Sequence, residues 1–95
     1  MAKWVEVINL RAAGGTDSSV TPNFLFSLID RAEAEGLTAA KIFSRVNLPG
    51  DFSVHLEWRG KGLPSGGSPL GIRLARTLKD YGLINHNVWK EEEEK

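Results

Sequence analysis

The chain has 95 residues, with twelve Lys and Arg set against twelve Asp and Glu, two His, no Cys and a net charge of zero. That length makes one domain around one core, and the balanced charge argues against a nucleic-acid binder that relies on bulk positive charge while leaving a local patch open. The missing Cys excludes disulfides, thiolate nucleophiles and Cys-ligated zinc or iron–sulfur sites.

In chain order, residues 3–12 place Trp4, Ile8 and Leu10 on one parity and Val5 and Val7 on the other, which predicts a strand apolar on both faces near its start. Residues 13–19 are Gly-rich and polar, a loop. Thr21-Pro22 is a helix-start signal, in which the hydroxyl caps free amides and Pro occupies the first turn. Leu25, Leu28, Ile29 and Ala32 follow at helical spacing, and Gly36 is the expected C-terminal cap. Residues 41–46 and 52–58 predict a hairpin around Leu48-Pro49-Gly50-Asp51. In its second arm Phe52, Val54, Leu56 and Trp58 alternate strictly with Ser53, His55 and Glu57. Residues 59–67 form a Gly-rich loop. Ser68-Pro69 repeats the capping device before a second amphipathic helix carrying Leu70, Ile72, Leu74, Ala75, Leu78 and Tyr81, ended by Gly82. Residues 83–90 are the last strand, and the charge run 91–95 is a solvated tail.

The order strand, helix, strand, strand, helix, strand predicts an α+β chain of ferredoxin-like type over residues 1–90: a four-stranded antiparallel sheet with two helices on one face. With Phe52, Val54, Leu56 and Trp58 facing the helices, His55 and Glu57 go to the open face. Parity leaves two assignments for the other strands. One adds Phe43, Arg45 and Trp89 beside Asn9, Arg11, Asn85 and Asn87; the other sends Ile84, His86 and Val88 there. Either face mixes aromatics, amides and charges, and its aromatics call for a partner or ligand.

The segment Ser68-Pro69-Leu70-Gly71, with Leu74, Leu78 and the run Tyr81-Gly82-Leu83-Ile84-Asn85-His86-Asn87-Val88-Trp89, resembles the C-terminal half of small bacterial dimeric α+β-barrel proteins. These are the antibiotic-biosynthesis-monooxygenase-like and stress-responsive barrel proteins. The resemblance implies a homodimer with sheets packed face to face and a pocket between each sheet and its helices or loops. Enzymes of that superfamily oxidise quinol-like or polyketide substrates with dioxygen and no cofactor; others degrade haem or decarboxylate, and many have no assigned reaction. It implies a dimer more strongly than any one reaction.

His55 and His86 are the two imidazoles, and either has the chemistry of a general base near neutrality. The plainer reading leaves His55 at a wet interface and His86 in a structural hydrogen bond. The superfamily's cofactor-free monooxygenases hold aromatic substrates with Asn, Trp, His and Tyr. Asn85, Trp58, Tyr81 and Trp89 are of those types, the first as a hydrogen-bond donor and the others as walls. Both His with Glu57 could compose a facial triad, but no His-x-x-x-His spacing occurs, so neither metal nor cofactor is expected. Haem has precedent in the superfamily. The loop 60–68 lacks a phosphate-loop ending and reads as a connector or as a lid over a pocket bounded by Trp58. RNA is not expected as a partner, because Ser53, His55 and Glu57 offer no aromatic pair for stacking. No apolar run approaches the roughly 18 residues of a membrane span, and Met1-Ala2-Lys3-Trp4 does not open a signal peptide, so a cytoplasmic protein without a membrane partner is expected. The leading expectation is a homodimer that binds, and oxidises without metal, a small hydrophobic or aromatic molecule. The other is a non-enzymatic ligand-binding or protein-interaction module.

Overall fold

The computed structural model describes residues 2–12, 20–29, 34–48, 50–60 and 66–95. The chain runs β1 (Ala2–Ala12), α1 (Pro22–Ser27), β2 (Leu37–Ser44), β3 (Asp51–Gly60), α2 (Pro69–Leu78) and β4 (Gly82–Lys90). The four strands form one antiparallel, open sheet in the order β2-β3-β1-β4. The first strand is therefore an inner strand, paired on both sides.

Strand parity decides which face meets the helices. β1 pairs Ile8 with Val54 and His86, and Leu10 with Phe52 and Ile84. Ile8, Leu10, Val54, Leu56 and Trp58 are buried with Leu25 of α1 and Leu70, Leu74 and Leu78 of α2. This single core lies between the sheet and the helices. The opposite, open face carries the odd-numbered residues of β1, β3 and β4, and Lys41 and Phe43 of β2. Of the two sequence assignments the first is found: Trp89, Asn85, Asn87 and Phe43 are on the open face, and His86 is on the helix side.

Both helix starts behave as their sequences predict. Thr21 Oγ1 accepts from the Phe24 amide at 3.1 Å, and Ser68 Oγ accepts from the Gly71 amide at 2.9 Å. The ends differ. α1 stops at Ser27, well before Gly36, because the Leu28 and Ile29 amides turn to carbonyls three residues back and the Ser27 hydroxyl donates to the Phe24 carbonyl. Residues 30–33, which carry the rest of the expected helix, lie outside the described residues, as do loop residues 13–19 and 61–65. α2 ends at Leu78, and Tyr81 belongs to the turn that leads into Gly82, the first residue of β4. β2 begins four residues earlier than the alternation suggests. A bulge between Leu37 and Ala39 breaks its periodicity, with the Thr38 hydroxyl donating to the Glu57 carbonyl.

Candidate functional site

The helix-facing parity of β1 reads Trp4, Glu6, Ile8, Leu10, and its one charged member is fully buried. The Glu6 carboxylate is seated by four hydrogen bonds. Oε1 accepts from Trp58 Nε1 at 3.2 Å and Ser68 Oγ at 2.7 Å; Oε2 accepts from the Ser68 amide at 2.9 Å and His86 Nε2 at 2.6 Å. An unpaired carboxylate in such surroundings would cost many kcal/mol, so the fold tolerates this one only because its lone pairs are met. Ser68 serves twice, since the hydroxyl that donates to Glu6 also caps α2. The start of α2 is thereby fixed to the central strand, and its positive dipole end lies beside the carboxylate.

Two glycines make room for this arrangement. A Cβ on Gly71, in the first turn of α2, would collide with Oε1, Oε2 and Cδ of Glu6. A Cβ on Gly67 would fall 2.5 Å from both Glu6 Oε2 and His86 Cε1, and Gly67 also has φ +104, in the left-handed region that favours glycine. The backbone of the α2 N-terminus approaches the sheet more closely than any side chain would allow.

His86 is on β4 opposite Ile8, with a side chain 15% exposed. Because Nε2 donates to Glu6, the neutral ring carries its lone pair on Nδ1. This is the dyad geometry of a general base: a carboxylate fixes the tautomer and ring orientation and stabilises the imidazolium that proton abstraction produces.

On the other side of the sheet, His55 Nε2 is 3.0 Å from Ser53 Oγ, and its ring lies 4.6 Å from that of Phe43. Partial burial holds its pKa below the ordinary 6.5; Lys41 adds to this and Glu57 opposes it. Glu57 is held between Lys41, at 3.0 Å, and Lys3, at 3.4 Å. The Lys41 hydrogen bond is the main reason its carboxyl is lowered below 4.5.

The six residues singled out from sequence are divided by the sheet. Trp58, Tyr81 and His86 are on the helix side, and Trp58 and His86 meet at the same carboxylate. Tyr81 packs instead on Phe24, with ring centroids 5.3 Å apart, against the core. His55, Asn85 and Trp89 are on the open face, where Trp89 is 61% exposed and Asn85 accepts from the Asn87 side-chain amide at 2.7 Å. The expected lid is represented among the described residues only by its ends: Gly66 is exposed, while Gly67 and Ser68 are part of the Glu6 cluster. Glu6 has no role in the sequence reading, where Gly67 is only part of the 59–67 loop and Gly71 only part of the Ser68–Gly71 segment. The available signal was one acidic residue on a parity otherwise occupied by Trp4, Ile8 and Leu10.

Among the described residues no group of three or more His, Cys, Asp or Glu is arranged to hold a metal ion, and no helix is long and apolar enough to cross a membrane. No protein-family model, curated protein or solved structure matches the chain.

Proposed function

We propose that this chain is a ferredoxin-like subunit of a cytoplasmic, homodimeric α/β barrel, and that it oxidises a small aromatic, quinol-like molecule with dioxygen and no bound cofactor. The observation that carries the reading is the Glu6–His86 pair at 2.6 Å, enclosed between the sheet and α2. Such a base would ionise a phenolic or enolisable substrate, and the electron-rich anion would reduce dioxygen directly. The reaction balances on substrate alone: a CH2 tautomer becomes C=O, one oxygen atom enters the carbonyl, and the other leaves as water with the two hydrogens. Trp58, buried against Glu6, and the partly buried Tyr81 are the predicted aromatic residues on the same side of the sheet. The dimer reading is supported by the open face, where the exposed Trp89 pairs with Val5.

The test combines light scattering on an eluting peak with oxygen consumption over a quinol panel. A mass of twice the chain and turnover lost in His86→Gln but kept in His55→Ala is the expected result. Gln retains a donor for Glu6 and removes the base. A monomer overturns the barrel, and full turnover in His86→Gln overturns the dyad. A second reading, a non-enzymatic binding module, is favoured by one observation: all four contacts of Glu6 are internal, and two of them come from the residue that caps α2. In that reading the cluster is a latch between strand and helix.

A further inference from the structure

On the open face, two adjacent cross-strand rows lie at the end of the sheet where β2 turns into β3. One row is Phe43, Ser53, Asn9 and Asn85; the next is Asp51, Arg11 and Leu83, which Arg45 joins through its amide on the Asp51 carbonyl at 3.1 Å. A groove of about 510 Å³ opens over them, a volume ordinary for small-molecule sites, which span ~300–1,000 Å³.

The groove has unbalanced charge at fixed positions. Arg11 Nε, at 3.6 Å, and Arg45 Nη1, at 3.4 Å, both converge on one oxygen, Asp51 Oδ2. A guanidinium has five N–H donors in a rigid fork, so one carboxylate oxygen leaves most of both forks open and the local charge at +1. Next to this cation pair, the Phe43 ring is held by His55 at 4.6 Å and offers an apolar wall, and the exposed Leu83 lines the groove from the opposite edge of the sheet. Asn85, whose Oδ1 is taken by Asn87, keeps its amide hydrogens as donors. Every polar group here other than Asp51 can donate.

We propose that this groove binds a small aromatic carboxylate. The carboxylate bridges the Arg11 and Arg45 forks in the plane they favour, the rings lie against Phe43 and point across the sheet toward Leu83, and Asn9 and Asn85 meet polar substituents on the ring edge. Because the groove is across the sheet from His86, it stands independently of the oxidation chemistry proposed above, and it shares the open face with the proposed dimer contact, which centres on the Val5–Trp89 pair toward the opposite end of β1.

The experiment is calorimetric titration and amide NMR on the full chain with three probes: 2-naphthoate, 2-naphthylmethanol (similar rings without the charge) and inorganic phosphate. Saturable binding of 2-naphthoate is expected, with shifts at Asn9, Phe43 and Asn85, and at least tenfold weaker binding of the alcohol and of phosphate. The Arg11→Met/Arg45→Met double variant should lose at least tenfold in affinity while keeping its thermal midpoint, since both side chains are more than half exposed. No saturation at millimolar 2-naphthoate, equal binding of the alcohol, equal binding of phosphate, or undiminished affinity in the double variant would each overturn the proposal. Molar mass measured on the same samples reports the dimer separately: a monomer that binds 2-naphthoate removes the barrel and leaves the groove.

Discussion

Gly71→Ala should destabilise this protein although it places a better helix former in a helix. In an exposed helix interior the exchange stabilises by about 1 kcal/mol. Here the new Cβ would lie 2.7 Å from even the more distant oxygen of Glu6 and closer to the other two carboxylate-group atoms. The carboxylate has no room to shift, because β1 is paired on both edges and Glu6 is fully buried. It must leave its seat or push α2 off the sheet. Leaving the seat orphans the Trp58 N–H, the Ser68 N–H, the Ser68 hydroxyl and His86 Nε2. Each buried, unsatisfied donor costs roughly 1–3 kcal/mol, less where water reaches it. Breaking one partner from a buried charge cluster typically costs about 3–5 kcal/mol in all. After the helix-propensity gain of about 1 kcal/mol, the expected net loss is about 2–4 kcal/mol. For a domain of this size that corresponds to a fall in melting temperature on the order of 10–25 °C. Urea unfolding followed by Trp fluorescence and circular dichroism reads the loss as a lower midpoint at constant slope. Gly66→Ala is the control, since a Cβ there has nothing within 4 Å; it should change stability by less than about 0.5 kcal/mol. In a double-mutant cycle Glu6→Ala should cost much less in the Gly71→Ala background than in the parent. A Gly71→Ala protein as stable as the parent, or more so, would refute the close seating of carboxylate on helix.

Folding lowers the pKa of His55, so its protonation favours the unfolded chain. Its contribution to stability is complete above pH 6.5 and is lost as pH falls from 6.5 through the lower folded value; urea midpoints should drop over that window in the parent and drop less in His55→Gln. Glu57 acts in the same direction at lower pH, contributing fully above 4.5 and losing that contribution as the medium becomes more acid, and Lys41→Ala should weaken this acid-side slope because Lys41 is the main cause of the shift. Leu74→Ala, in the fully packed interior, should cost about 2–5 kcal/mol in chemical denaturation. On the open face Trp89→Ser should leave the monomer fold intact by circular dichroism and halve the mass measured by light scattering; an unchanged mass would place the proposed interface elsewhere.

What the sequence disclosed and what it withheld divide along the range of the interactions involved. The caps at Thr21 and Ser68 are contacts over three residues and were readable from a hydroxyl followed by Pro. The strict alternation of residues 52–58 was readable because one face of β3 is buried by the helices and the other is not. Periodicity failed where a local backbone event interrupts it. α1 closes on itself with three-residue bonds while Leu28 and Ile29 still match helical spacing, and the Leu37–Ala39 bulge reverses which parity of β2 faces inward. The site was the least readable part, since Glu6 meets its partners 52, 62 and 80 residues along the chain. Nothing local to residues 3–12 requires a carboxylate. Only the strand order, which puts β1 between β3 and β4, brings Trp58 and His86 to the same residue. The two glycines become intelligible through the same contact, since in sequence Gly67 reads as loop composition and Gly71 only as part of the Ser68–Gly71 segment, and in the fold they leave the space the carboxylate occupies. A buried acid on an otherwise apolar strand parity, with a Ser-capped glycine-bearing helix and a His later in the chain, is therefore a pattern worth testing for itself. In this molecule those features converge on one carboxylate, and its removal should loosen the helix cap, the central strand and the tautomer of His86 together.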